Sequence, residues 1–363
     1  MTKNTKKLVI ILPGLNPGGT ERAASELSNY LSRRKGVEVY LLLMYNTPLF
    51  YTLDEHVNVL MPDAAMKKKL GKIFYIPYML FFLRKNIKKT QSKYVLCLGY
   101  ILFSLFATLG LKTKVIVSFR CNPYIKRFGD HKVLNKIYHK LHKLLSFRVD
   151  SFIAQTNEAK SFYANRYNCP IVVIPNFLKS ARYINSGQKK NRIVFLGRLA
   201  YVKNPVALLE AYSRIEDKKD WQLHFIGDGI LKTELQKMIH HLGLSDRVIL
   251  HGFVKNVDAI LSESKILGLT SKSEGFPNAI IEAMANKMAV IAYNCKVGPS
   301  DIINNGQNGY LVPPGDVEYF KEKLDYLIKD EKCLNKLCEQ AQKDSKKYDI
   351  NKIGQRYHDF IFK

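Results

Sequence analysis

From Arg192 onward the chain alternates short apolar runs with helical segments, and few folds accommodate that pattern. The runs IVFLG, LHFIGDG, RVILHGF, ILGLT, AVIAYN and YLVPP read as strands, with helices expected from Asn204, Leu231, Asn256 and Ala279. Runs that are apolar along their length suit strands buried on both faces. Short strand–helix–strand links then require a parallel sheet covered by helices. The first half repeats the theme, with strands expected at Lys7–Leu12, Val37–Met44, Tyr94–Leu98, Lys114–Phe119, Ser151–Ala154 and IVVIPNF. A chain of 363 residues, 47% hydrophobic, is long enough for two cores. The expected fold class is α/β, two doubly wound Rossmann-like domains facing an interdomain cleft. The polar stretch Leu178–Lys190 reads as the linker. It divides the chain into an N-terminal domain over 1–178, joined by a C-terminal helix over 350–363, and a C-terminal domain over 179–349.

Charge separates the halves further. The net charge is +26, and between Ala64 and Val149 the only acidic residue is Asp130. Such a field calls for a polyanionic partner: nucleic acid, an anionic membrane or phosphorylated substrates. The segment MKKKLGKIFYIPYMLFFLRKNIKK sets Phe74, Tyr75, Tyr78, Phe81 and Phe82 between lysine clusters, with Pro77 breaking its middle. That pattern fits an interfacial segment on anionic lipid better than a solvated helix. His131–Phe147 reads as a basic amphipathic helix, with His139 and His142 as exposed basic side chains. Tyr94–Leu111 carries no charge and just reaches membrane-spanning length. A buried strand, a turn at Gly99 and a buried helix ending at Gly110 explain it better. The N-terminal MTKNTKKLVIILPGL reads as a first strand, since Pro13 and Gly14 interrupt its apolar core. Six cysteines without metal-ligand spacing read as reduced, mostly buried thiols, and no metal site is expected.

The chemistry concentrates at strand ends. After ILGLT comes SEGFPNAIIEAMA, a polar loop and then a helix with Pro277 and Asn278 at its start as fixed φ and cap. A helix N-terminus favours a phosphate. Glu274 and Glu282 around it make sense when the ligand also carries hydroxyls, which points to a nucleotide, a sugar phosphate or a nucleotide sugar. Arg198 and Lys203, in GRLAYVKN at another strand end, suit a diphosphate, though ordinary loop cations fit those residues equally well. Gly18 and Gly19, before a helix capped by Thr20, permit close backbone approach to a ligand or simply make a tight turn. Arg120 and Asn122 follow a further strand, where open α/β sheets place ligands.

Together GGTER (18–22), FLGRLAYVKNP (195–205), IGDG (226–229), LHGF (250–253), SEGFPNAIIEAMA and GPSDIINNGQNGYLVPPGD (298–316) resemble family 4 of the retaining glycosyltransferases, which have the GT-B fold. Glu274 and Glu282 match that family's E-x7-E signature. The likeness covers the C-terminal half well and the N-terminal half more thinly. It implies a hexosyl- or N-acetylhexosaminyltransferase that needs no metal or cofactor and takes a UDP-sugar as donor substrate. By the same resemblance, Glu282 accepts hydrogen bonds from the ribose, and Glu274 contacts the donor sugar and steadies positive charge on its ring. Arg198 and Lys203 hold the diphosphate, Phe253, Phe276, Pro277 and Asn278 shape the donor pocket, and Gly18 and Gly19 close on the phosphates. Many relatives carry a His in the N-terminal cleft, where this chain has Arg120. The strain of resemblance is to capsule, O-antigen and lipid-linked oligosaccharide assembly enzymes. It implies a lipid-linked saccharide acceptor and a cytoplasmic, peripheral place on the inner face of the cell membrane. A nucleic-acid-binding protein is the alternative from charge alone, but the basic region lacks a recognisable nucleic-acid module. An integral membrane protein spanning at Tyr94–Leu111 is another. A non-hydrolysing epimerase of similar fold is disfavoured by the E-x7-E pattern.

Overall fold

The computed structural model describes residues 5–178 and 189–363; most of the expected linker, 179–188, lies outside them. The chain divides into two compact units, Met1–Lys179 with Ile350–Lys363, and Ser180–Asp349.

Among the described residues the first unit holds seven strands: β1 (Lys6–Leu12), β2 (Val37–Leu43), β3 (Val57–Leu60), β4 (Tyr94–Cys97), β5 (Lys114–Ser118), β6 (Ser151–Ala154) and β7 (Ile171–Val173). They pair in the order β3-β2-β1-β4-β5-β6-β7, parallel throughout. The helices are α1 (Gly19–Ser32), α2 (Met66–Thr90), α3 (Ile101–Thr108), α4 (Lys132–Leu145) and α5 (Asn157–Ala164). The second unit holds β8 (Arg192–Leu196), β9 (Gln222–Ile226), β10 (Val248–Gly252), β11 (Ile266–Leu269), β12 (Ala289–Tyr293) and β13 (Tyr310–Val312), in the order β10-β9-β8-β11-β12-β13, again parallel. Its helices are α6 (Pro205–Ser213), α7 (Lys232–His241), α8 (Val257–Ser262), α9 (Asn278–Ala285), α10 (Pro299–Ile302), α11 (Val317–Lys329) and α12 (Glu331–Ser345). The last helix, α13 (Ile350–Ile361), returns to the first unit and packs on α1. Gly354 makes that approach possible, because a Cβ there would stand 2.5 Å from the Tyr30 ring.

Strand order reverses between β1 and β4 in one sheet, and between β8 and β11 in the other. Loops leaving adjacent strands in opposite directions at such a point open a crevice at the carboxyl edge. Apolar layers seal each sheet. One lies between the first sheet and α1 and α13, through Leu27, Leu31, Ile353 and Tyr357. The opposite layer joins α2, α3 and α5 to the same sheet. In the second unit α6, α7 and α11 pack through Leu208, Leu235 and Phe320.

Some local expectations are met and others are corrected. Tyr94–Leu111 is β4, a turn and α3, and among the described residues no helix is long and apolar enough to cross a membrane. Pro77 does not break α2; the non-helical backbone is at Gly71, whose φ of 65° suits glycine. Of the α2 aromatics, Tyr75 is core, its hydroxyl donating to Met44 O at 2.9 Å, and Tyr78 and Phe82 are half-buried. Phe74 and Phe81 do face out, joined by Ile73. Thr20 lies inside the first turn of α1, which starts behind Gly18 without a side-chain cap. Likewise Pro277, not Asn278, precedes α9, again uncapped by any side chain. His139 is exposed as expected, but His142 is not: its Nδ1 lies 3.0 Å from Tyr167 Oη, and burial pushes its pKa down to about 4. Cys121 is exposed, whereas Cys97, Cys295 and Cys338 are buried; all six are free.

Candidate active site

In the second unit the carboxyl-edge loops are stitched together by backbone. Gly197 N donates to Ile226 O, Leu199 N to Asp228 O, and Gly227 N to Gly252 O, at 2.9–3.0 Å. A Cβ on Gly227 would stand 2.0 Å from Gly197 O, so glycine is what lets the loop after β9 lie against the loop after β8. This seam fixes the backbone at Arg198. The loop after β8 is tied equally closely to the loop after β11. Lys272 N donates to Val202 O at 2.9 Å, and Thr270 Oγ1 to Asn204 O at 2.7 Å.

Across that second seam Lys203 Nζ donates to both carboxylate oxygens of Glu274, at 2.6 and 2.7 Å. Glu274 is buried, whereas the Lys203 side chain keeps 29% of its exposure. A buried carboxylate needs such a partner. Cys295, beside Glu274, has its thiol pushed up to about 11 by burial, with the neighbouring carboxylate adding to the rise. Arg198 is exposed, and no ion pair holds it among the described residues. The loop after Glu274 runs into α9, whose uncapped N-terminus supplies positive dipole. Gly298, at φ 106°, packs against Pro277, where a Cβ would stand 2.6 Å from the ring. Phe276 is buried edge-on to Tyr348. Glu282 is half-buried on α9, beyond Asn278.

The β8–β11 switch point thus gathers Arg198, Lys203, Glu274, Phe276, Pro277 and Asn278, with Glu282 on the helix behind. Phe253 stands apart, 60% exposed after the edge strand β10. Chemically the arrangement offers two cations and a helix N-terminus for an anion, and two carboxylates for hydroxyls. Among the described residues no cluster of three metal-ligating side chains occurs.

In the first unit the Gly18 amide is already engaged: Tyr51 Oη accepts from Gly18 N and donates to Gly18 O, each at 2.9 Å. Glu21, which sequence reasoning passed over, folds its carboxylate over Gly18, where a Cβ would stand 2.2 Å from it. Gly19 is the first residue of α1. Arg120 is also engaged, donating to Tyr357 Oη at 3.2 Å and to Asn176 Oδ1, which ties the β5 loop to α13. Asn122 accepts from Tyr124 N at 2.9 Å, shaping its own turn.

Comparison with known proteins adds an independent line. A family model described as "Glycosyl transferases group 1" matches residues 179–346, and "Glycosyltransferase Family 4" matches 17–182. The amylovoran biosynthesis glycosyltransferase AmsD of Erwinia amylovora is 26% identical, covering 98% of this chain and 99% of its own. A Campylobacter jejuni enzyme is 28% identical over 97% of both chains; its name is GalNAc-alpha-(1->4)-GalNAc-alpha-(1->3)-diNAcBac-PP-undecaprenol alpha-1,4-N-acetyl-D-galactosaminyltransferase. Among solved structures, Anabaena Alr3699/HepE in complex with UDP superposes with a TM-score of 0.81 at 17% identity, covering 98% of this chain and 99% of its own.

Proposed function

We propose that this chain, a glycosyltransferase built of a family 4 domain and a group 1 domain, moves a sugar from a UDP-sugar to a lipid-linked saccharide with retention at the anomeric carbon. Its two Rossmann-like domains make the GT-B fold. The observation that carries the reading is the Lys203–Glu274 pair at the β8–β11 switch point, beside the open Arg198 and the α9 N-terminus. UDP in the complex of the structural neighbour and the undecaprenol diphosphate in the Campylobacter enzyme's name support donor and acceptor class.

Each group has a role in that reaction. Arg198, Lys203 and the α9 N-terminus take the diphosphate, and their charge stabilises UDP as it leaves. Glu282 accepts hydrogen bonds from the ribose hydroxyls. Glu274 accepts from the donor sugar and steadies the positive charge that builds on the ring. The bond from the anomeric carbon to the diphosphate oxygen breaks, and a bond to the acceptor hydroxyl forms on the same face. The acceptor's proton passes to an oxygen of the leaving diphosphate. The E-x7-E pair then serves as two binding carboxylates rather than the nucleophile and acid of a retaining hydrolase. No metal or cofactor enters this scheme.

The acceptor reading also draws on the outer face of the first unit. Ile73, Phe74 and Phe81 on α2 and Val133, Ile137 and Leu144 on α4 point outward, as does Phe147 just beyond α4. Lysines interleave them: Lys68, Lys69 and Lys72 near the start of α2, and Lys132, Lys136, Lys140 and Lys143 along α4. Apolar side chains among cations suit an anionic membrane surface. We therefore place the enzyme peripherally on the cytoplasmic face of the membrane, with no nucleic-acid partner.

Incubation with UDP-sugars and a membrane lipid extract tests the function. The expected result is a labelled lipid-linked product whose new linkage keeps the donor's anomeric configuration by NMR. Transfer that persists unchanged in Glu282→Ala and Arg198→Ala would refute the site. Salt-sensitive binding to DNA but not to anionic liposomes would overturn the membrane reading.

A further inference from the structure

At the carboxyl edge of the first sheet, two cations rest on tyrosine rings instead of on carboxylates. Arg127 lies 4.4 Å from the centroid of Tyr100, and Lys67 Nζ lies 4.7 Å from that of Tyr45. Neither forms an ion pair among the described residues. Between Ala64 and Val149 the chain offers them only Asp130. A cation held on an aromatic face is oriented yet keeps its charge for an incoming anion.

Their place in the sheet is the second observation. Tyr45 follows β2 and Tyr100 follows β4, the two strands that flank β1, so they border the point where strand order reverses. The phenol of Tyr45 is raised by burial and then by Tyr100, and Arg127 opposes the rise, so the three groups share one neighbourhood. A third observation concerns backbone. Tyr100 adopts φ 47° and ψ 46°, a left-handed conformation unusual for a bulky residue. Such a conformation persists only where the surrounding structure over-determines it, and it recurs at ligand sites. It leaves the ring 41% exposed. Beyond Lys67, past the non-helical Gly71, the outward Ile73 and Phe74 of α2 begin the apolar face.

We propose that Lys67 and Arg127, seated on Tyr45 and Tyr100, bind the diphosphate of a lipid-linked acceptor, with the lipid leaving along the outer side of α2. Two cations match a group carrying at least two negative charges, and the planar guanidinium can donate twice to one phosphate. The assignment rests on the acceptor reading above, and it makes these four residues the determinants of diphosphate over monophosphate carriers.

The full chain is titrated with phosphatidylcholine nanodiscs that contain a polyprenyl diphosphate, a polyprenyl monophosphate or neither. Lys67→Gln and Arg127→Gln are compared with the wild type. UDP affinity and binding to phosphatidylglycerol vesicles serve as controls. The wild type should prefer diphosphate discs. Each variant should lose about tenfold on them, the scale of one charge-assisted contact, while UDP and vesicle binding hold. Variants that bind diphosphate discs like the wild type would overturn the site and leave the acceptor reading intact. An equal loss on phosphatidylglycerol vesicles would also overturn it, since the cations would then act as general charge. A wild type blind to the diphosphate would instead bring down the acceptor reading itself.

Discussion

Lys203 spans both oxygens of the buried Glu274, at 2.6 and 2.7 Å, across the seam between the loops after β8 and β11. One cation thereby neutralises a carboxylate in the fold and stays partly open to an incoming diphosphate. Removing either partner has different consequences. Lys203→Met strands a buried charge and should cost up to about 3 kcal/mol of stability, together with turnover. Glu274→Gln keeps the shape and should spare stability, yet lower kcat about 100-fold or more. Thermal melts and steady-state rates of the two variants check this; equal melts for both would contradict the pairing.

The Gly227 seam acts at a distance on the same site. Gly227 has φ 138°, and a Cβ would collide with Gly197 O. Gly227→Ala should cost about 2–4 kcal/mol and shift the Arg198 loop, weakening UDP binding as well. Calorimetric titration and urea unfolding measure both effects. Wild-type behaviour in both would show that the seam is not needed.

The outward aromatics should separate membrane binding from folding. Phe74→Ser and Phe147→Ser should each weaken flotation with phosphatidylglycerol vesicles about tenfold, as expected for one aromatic withdrawn from lipid, and leave the melting temperature alone. Tyr75→Ser, next in sequence but buried, should instead lower stability by about 3 kcal/mol. Unchanged flotation in both phenylalanine variants would argue against the lipid-facing role of these helices.

Acid should loosen the second unit. His224 Nδ1 lies 2.9 Å from His251 Nε2, and burial, then Arg192 and His251, lower the His224 pKa to about 4. The unfolded chain, with its histidine near 6.5, binds more protons between those values, so stability falls as pH drops from about 6.5 to about 4. His142 in the first unit has the same sign over the same window. Trp221, the single tryptophan, reports the second unit. Its urea midpoint should fall less steeply with acid in His224→Leu, and an unaltered slope would contradict the assignment.

What the sequence made legible follows from what each segment could hide. Strands buried on both faces announce themselves as apolar runs, so ILGLT and the SEGFPNAIIEAMA helix stood out, and with them Glu274 and Glu282. Tyr94–Leu111 also resolved correctly, because Gly99 and Gly110 punctuate it. The four-residue β3 is short, half exposed and at an edge, and its run VNVL vanished into a loop region. In α2 the aromatics occupy both sides of the helix, so spacing alone did not isolate Tyr75, Met79, Leu83 and Ile87 as the buried stripe. For α4 the pattern gave amphipathicity but not its direction: Val133 and Ile137 face out, which only the neighbouring elements decide. Arg120 read as a cleft residue, and its bonds go to Asn176 beyond β7 and to Tyr357, on a helix more than two hundred residues away in sequence. Arg127 on Tyr100 and Lys67 on Tyr45 likewise join separate elements, whereas Glu21 over Gly18 is a local fold-back that the run GGTER does not announce.

Isothermal titration of UDP into the wild-type chain and into Arg198→Ala decides whether the β8–β11 switch point holds a nucleoside diphosphate. A single UDP site is expected in the wild type, weakened at least about tenfold in Arg198→Ala, with the melting temperature unchanged. Equal UDP affinity in the two proteins, or no UDP binding by the wild type, would contradict it.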